Sequence, residues 1–166
     1  MARRLAPLGS APDGTVALVA HQRALAVQAL FAVPRTGATL AVLNPRLGPE
    51  ALEGALDTIA PDLLLSIDAD VRELGVDPGW FATLDDLPKP PPDQHSADVI
   101  SSPTDVRRPF ALLWTSGTSG SAGIVPITEA ALYASAQAVS ERLDLRVEDR
   151  WYGSLSIAHI GGLALV

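Results

Sequence analysis

The sequence predicts an α/β fold with a mostly parallel sheet flanked by helices, and the first 67 residues provide the main evidence. Three short apolar runs suit buried strands: TVALVA at 15–20, TLAVL at 39–43 and DLLLSI at 62–67. Nearly continuous apolar runs are typical of strands that are covered on both faces. Because helical patterns separate these runs, residues 1–67 are predicted to form a βαβαβ unit with right-handed crossovers.

The two helices of this unit have different patterns. Residues 22–33 carry apolar side chains on almost every side, which predicts a buried helix that ends near Pro34 and Gly37. The second helix begins at 48–50, with proline in its first turn and an acid near the positive end of its dipole. Its apolar residues recur on one face: Leu52, Leu56 and Ile59.

The periodicity changes after residue 67. Residues 68–109 include the stiff segment KPPP at 89–92 and are predicted to be an irregular connection between two parts of the sheet. The acidic pair at 85–86 could bind a metal ion, but solvated acids are commoner in such a stretch, so no metal site is predicted.

Residues 110–166 form the third predicted segment, which holds the phosphate loop and the substrate motif. The apolar run 111–114 is a candidate strand, and Thr128 is a good N-cap for a helix over 128–143. That helix has Leu132, Ala136, Val139 and Leu143 on one face. Residues 149–152 are predicted to lead into another strand.

Composition restricts the function classes. The chain has 166 residues, which suits one domain or part of one, and a formal net charge of −7 without a basic cluster. Nucleic acid and anionic membranes are therefore poor partners. The absence of cysteine excludes disulfides, thiolate metal sites and a cysteine nucleophile. No apolar run reaches membrane-spanning length and no signal-peptide pattern is evident, so a cytoplasmic location is expected.

Residues 115–123 read TSGTSGSAG and contain only Thr, Ser, Gly and Ala. Glycines permit turns whose backbone N–H groups converge on an anion, and the hydroxyls add uncharged donors. Composition alone also fits a flexible linker, although the loop is short and apolar segments bracket it. The loop is not a Walker A sequence, because it contains no lysine.

The order of residues in the loop resembles the signature of the adenylate-forming (AMP-binding) superfamily, T-S-G-T-S/T-G-x-P-K-G. The resemblance implies that six residues contact the phosphates of ATP: Thr115, Ser116, Gly117, Thr118, Ser119 and Gly120. It also implies that Mg²⁺ accompanies the nucleotide. The sequence then departs from the signature, with Ala122 in place of Pro, Gly123 in place of Lys and Ile124 in place of Gly.

Two further segments resemble the same family. Residues 35–38 and 43–47 (RTGA and LNPRL) match an early motif, RxGA…LNPRL. A later motif, DRxL…LPLFHxxGL, is matched at Asp149, Arg150, Leu155, His159, Gly162 and Leu163. The resemblance implies that His159, Gly161 and Gly162 border the acyl-substrate pocket. Ser156 and Ala158 replace the motif's proline and aromatic residue, which implies an altered or wider pocket. Without the resemblance, His159 would fit a core or helix-start histidine.

The resemblance implies an ATP-dependent carboxylate–CoA ligase, which forms an acyl-adenylate and then a thioester with coenzyme A. Within the family, the segments are most similar to the o-succinylbenzoate–CoA ligases of menaquinone biosynthesis. They correspond to about the first third of such an enzyme, part of its N-terminal domain. A truncated chain without activity of its own is therefore expected, and no catalytic residue is assigned.

The expected partners are a small-molecule carboxylate and a nucleotide. The chain could also associate with itself or with a complementing C-terminal chain, because an unfinished sheet and an apolar tail would be exposed. The alternative function is a non-catalytic remnant of the fold that binds a nucleotide or a protein.

Overall fold

The computed structural model describes residues 13–19, 24–66, 81–83, 106–115 and 123–166. The strands are β1 (Thr15–Val19), β2 (Thr39–Leu43), β3 (Leu63–Ser66), β4 (Phe81–Thr83), β5 (Pro109–Thr115) and β6 (Gly123–Thr128). The helices are α1 (Ala24–Ala32), α2 (Pro49–Ile59), α3 (Glu129–Leu143) and α4 (Ile160–Leu163), with a 3₁₀ turn at Pro34–Thr36. The polyproline segment 89–92 and the acidic pair 85–86 lie outside the described residues.

The strands form one six-stranded sheet in the order β4-β3-β1-β2-β5-β6. Every neighbouring pair is parallel except β5 and β6, which are antiparallel. The predicted α/β class with a mostly parallel sheet is thereby confirmed. Within the described residues, no helix is long and apolar enough to cross a membrane.

Helices α1 and α2 cover opposite faces of this sheet. Val16 and Leu18 of β1 pack in one buried cluster with Leu30 of α1. The intervening residue Ala17 packs on the other face with Leu52 of α2. Because both faces of β1 are covered, its side chains are apolar in succession, which explains the unbroken apolar run in the sequence.

Helix α1 is only partly buried, whereas the sequence pattern predicted a buried helix. Ala26, Ala29 and Leu30 face the sheet and are at most 1% exposed. Leu25 and Phe31 are 44% and 39% exposed on the outer side. Since α1 lies on the surface of an open sheet, apolar residues on all its sides do not imply burial on all its sides.

The predicted N-cap of α3 is confirmed. The hydroxyl of Thr128 accepts a hydrogen bond from the backbone N–H of Ala131 at 3.1 Å. The predicted apolar face is largely exposed, however: Leu132 is half-buried, whereas Val139 and Leu143 are 42% and 55% exposed. The cap, together with backbone hydrogen bonds, therefore defines the start of a helix that packs weakly on the sheet.

Replacing Thr128 with alanine is expected to lower the free energy of unfolding by about 1 kcal/mol, the usual cost of losing an N-cap. Urea denaturation followed by circular dichroism measures this loss. Thr128→Ser keeps the hydroxyl and is the matched control. Equal losses in the two variants would show that the hydroxyl does not stabilise the helix.

The strand predicted after residues 149–152 is wrong. Residues 149–154 are irregular, and Trp151 and Tyr152 are 52% and 89% exposed. The guanidinium of Arg150 donates hydrogen bonds to the carbonyls of Val147, Glu148 and Asp149. These bonds hold the turn at 147–148 that precedes the segment, and residues 149–154 do not pair with a strand among the described residues.

Candidate functional site

The candidate site lies where the parallel strands β2 and β5 end. The register pairs Val42 with Leu113, so Asn44, which follows β2, and Thr115, which ends β5, come next at the same edge. Strands β1 and β2 are neighbours whose following helices lie on opposite faces of the sheet. Open α/β sheets usually bind ligands at the carboxyl ends of strands, beside such a change of face.

A pair of hydrogen bonds closes the base of the predicted phosphate loop. The Thr115 hydroxyl donates to the Gly123 carbonyl at 3.1 Å and accepts from the Gly123 N–H at 3.2 Å. We name this pair the Thr115–Gly123 clasp. It holds together the two strands that bracket residues 116–122, so both ends of the loop are fixed on the sheet.

The remaining predicted phosphate contacts are not tested by this geometry. Residues 116–120 (Ser116, Gly117, Thr118, Ser119 and Gly120) lie outside the described part of the chain. Because Thr115 uses its one hydroxyl proton in the clasp, its role as a phosphate donor stays a prediction.

The segment before α4 positions His159. Ile157 and Ala158 are 0% and 3% exposed and pack in the same buried cluster as Leu113 of β5. Ser156 begins the turn that leads through them to His159: its hydroxyl accepts from the Ala158 N–H at 3.2 Å, and its backbone carbonyl accepts from the His159 N–H at 3.1 Å. The residue that replaces the family's proline thus makes the turn through its own polar groups.

His159 is exposed and is the N-cap residue of α4, without a side-chain capping bond. It therefore occupies a helix start, one of the two alternatives left open by the sequence. Its Nε2 atom lies 3.4 Å from Nδ2 of Asn44, a residue 115 positions away in the chain. A helix start and a position at the candidate site are thus both features of this histidine.

The two predicted glycines lie beside this segment. Gly162 is buried, and a Cβ atom there would lie 2.1 Å from the carbonyl oxygen of Ser156. Gly161 is exposed, and a Cβ atom there would meet only the flexible end of Leu155, at 3.3 Å. Gly162 therefore permits the close approach that the His159 turn requires. The substrate contacts predicted for both glycines stay predictions.

Thr115 and His159 line one crevice of about 430 Å³. Its other described lining residues are apolar: Leu113, Trp114, Val125, Ile127, Ala158 and Ile160. A mostly apolar wall with a few polar groups suits a ligand that has an apolar body and a polar end. A second cavity, of about 330 Å³, lies between α1, α3 and α4 and holds none of the predicted site residues among its described lining.

Sequence reasoning did not select Asn44 as a site residue. It used Asn44 as one letter of the LNPRL segment. The available signal was the position of a polar side chain directly after a buried parallel strand, at the sheet edge that also carries the loop.

A doubly wound sheet in which the two ends of a Ser/Thr/Gly loop lie at the carboxyl edge, beside the His159 segment, is the arrangement expected of the adenylate-forming class. Residues 1–166 match the AMP-binding enzyme family throughout, and the chain belongs to that family. The resemblance proposed from the three sequence segments is therefore confirmed.

The individual relatives of the chain indicate a more specific class of ligase within that family. It is similar to the 2-succinylbenzoate–CoA ligase of Bacillus cereus strain AH820, with 30% identity over 140 residues, which is 84% of this chain and 28% of the relative. An o-succinylbenzoate coenzyme A synthetase (MenE) of Bacillus subtilis in complex with AMP aligns over 99% of this chain and 42% of its own, with 25% identity and a TM-score of 0.82. The form of that synthetase with ATP and magnesium has the same fold, at 23% identity with a TM-score of 0.85 over 43% of its length. The relatives are thus adenylate-forming acid–CoA ligases, and the chain spans about a third of their length.

Proposed function

We propose that this chain is the nucleotide- and acyl-binding portion of an ATP-dependent carboxylate–CoA ligase. The supporting observation is that Asn44, Thr115 and His159, from three distant segments, meet at one edge of the sheet. The proposed acid is o-succinylbenzoate, in menaquinone biosynthesis, because the relatives carry that name. The proposed location is the cytoplasm, where ATP and coenzyme A would be the co-substrates.

The chemistry requires positioning more than covalent participation by the protein. A carboxylate oxygen attacks the α-phosphorus of ATP and pyrophosphate leaves; the thiol of coenzyme A then displaces AMP from the acyl-adenylate. Negative charge accumulates on the phosphates, so fixed donors lower the barrier. We infer that the clasp holds the loop ends so that the loop N–H groups and hydroxyls point to the β- and γ-phosphates.

The described part of the crevice offers no carboxylate that could bind Mg²⁺. None of the described lining residues of the crevice is a carboxylate, and the described chain holds no cluster of three acidic or histidine side chains. Mg²⁺ is usually bound through one or two carboxylates together with substrate phosphates. We therefore propose that the ion arrives with the nucleotide, and that its protein ligands are not among these residues.

We propose the ligase activity for a complete ligase of this family, because this chain spans 28% of the length of the curated relative. This chain alone is proposed to bind ATP and the acid without turnover. A complementing chain, or a second copy, is proposed to cover the exposed side of α3, where Tyr133 and Leu143 are 73% and 55% exposed.

One observation favours the alternative, a non-catalytic remnant. Gly123 occupies the position of the signature lysine, so the loop lacks that cation. A charge-assisted hydrogen bond to phosphate contributes about 1.5–3 kcal/mol, so its loss weakens ATP binding tenfold or more. The remnant would keep the scaffold and bind a protein or, weakly, a nucleotide.

Calorimetric titration of the folded chain with Mg·ATP tests the proposal. Saturable binding is expected, and Ser116→Ala/Thr118→Ala is expected to weaken it at least tenfold, because each hydroxyl bond to phosphate contributes about 1.5–3 kcal/mol. Circular dichroism verifies folding, and sedimentation velocity on the same samples reports self-association. Absence of heat at millimolar ATP from a folded chain would contradict nucleotide binding and favour the remnant.

A further inference from the structure

The side-chain amide of Asn44 has a fixed orientation. The side-chain Oδ1 accepts a hydrogen bond from the backbone N–H of Arg46 at 3.0 Å. The backbone carbonyl of Asn44 accepts from the Leu47 N–H, also at 3.0 Å. A backbone N–H can only donate, so the amide atom that faces Arg46 must be the oxygen. The NH₂ group therefore points to His159, where Nδ2 lies 3.4 Å from Nε2.

This orientation determines where the imidazole proton resides. An amide NH₂ has donors only, so Nε2 of His159 must accept the hydrogen bond. In a neutral imidazole that accepts at Nε2, the proton is on Nδ1. Among the described residues, none accepts a hydrogen bond from that Nδ1–H. Within the described part of the chain, the ring therefore keeps one donor without a protein acceptor, at a position that lines the crevice.

Building on the proposed function, we propose that Asn44 is a positioning residue that holds His159 in its Nδ1–H tautomer, so that the ring donates to an acceptor oxygen of the bound acid or nucleotide. Both partners stand on rigid supports. Leu43, directly before Asn44, is 0% exposed at the end of β2, and Ala158, directly before His159, is 3% exposed. The contact therefore joins two fixed backbone positions.

The identity of residue 44 matters for this role. An aspartate has the same shape and would still accept from the Arg46 N–H. Its second oxygen would accept a hydrogen bond where the amide donates, so it would require a proton on Nε2. Asn44→Asp thus reverses the tautomer while it keeps the turn, whereas Asn44→Ala removes the directing group.

Two-bond ¹H–¹⁵N correlation spectra of the histidine rings test the proposal, because they distinguish the two tautomers. They are recorded on the ligand-free chain at about pH 8.5, where ordinary imidazole is neutral. A His159→Gln spectrum assigns the signals against those of the other two histidines. The wild type is expected to show Nδ1–H, and Asn44→Asp is expected to show Nε2–H.

Asn44→Ala is expected to shift the tautomer ratio towards Nε2–H by roughly two- to tenfold, the range for one ordinary hydrogen bond. A wild-type ring protonated at Nε2, or an unchanged tautomer in a folded Asn44→Asp variant, would overturn the proposal. Because these spectra need no ligand, their outcome is independent of the ATP titration. The positioning role and the proposed function can therefore fail separately.

Discussion

Replacing Gly162 with alanine is expected to lower the free energy of unfolding by about 3 kcal/mol or more, the upper range for overpacking. The added Cβ would lie 2.1 Å from the Ser156 oxygen and 2.7 Å from that of Leu155. Both are backbone atoms, so relief requires the His159 turn to move. Alanine in a helix gains at most about 1 kcal/mol over glycine, and the overlap therefore outweighs the helical preference.

Gly161→Ala is the matched control, because it adds the same methyl group one residue earlier. Its Cβ would meet only the flexible Cδ1 of Leu155 at 3.3 Å, so a change within about 1 kcal/mol is expected. Urea denaturation measures both variants, and the His159 ring signals report whether the turn has moved. Equal stabilities for the two variants would mean that residues 155–156 do not pass over Gly162 as described.

The alternation of strands and helices over residues 15–66 was predictable because each element has a recognisable local sequence pattern. Strand β2 has the predicted bounds, Thr39–Leu43, since an apolar run covered on both faces ends where burial ends. The segment after residue 149 was not predictable in the same way. Trp151 and Tyr152 favour a strand, but a strand also needs a neighbour, and Arg150 instead satisfies the nearby carbonyls.

The candidate site, too, was predictable from the sequence only where its features are local. The composition of the loop and its departure from the signature at Gly123 could be identified from the sequence, because they are properties of consecutive residues. The contact between Asn44 and His159 could not be predicted from the sequence, because it depends on the register of β2 against β5 and on the packing of Ala158. The sequence motif selects His159 as a candidate site residue, whereas only the tertiary structure shows which atom of the distant Asn44 amide faces it.

Introducing the missing cation, by Gly123→Lys, is expected to tighten binding of Mg·ATP about tenfold or more. Gly123 pairs with Thr115 in an ordinary strand, and the only described atom near an added Cβ is the Thr115 hydroxyl oxygen, at 3.4 Å. A side chain therefore fits there without moving the backbone of the described residues. A charge-assisted bond to phosphate contributes about 1.5–3 kcal/mol, which corresponds to roughly 10- to 150-fold in affinity.

Gly123→Met separates the charge from the added bulk, because its unbranched side chain has no cation. Calorimetric titration with Mg·ATP is expected to show tighter binding for the lysine variant alone, with an advantage that shrinks as salt is raised. Equal affinities for the two variants would mean that residue 123 does not point to the phosphates. A gain specific to lysine would show that the loop keeps the geometry of a phosphate site. The departure at residue 123 would then be a loss of one charge within an intact scaffold, which favours the ligase over the remnant.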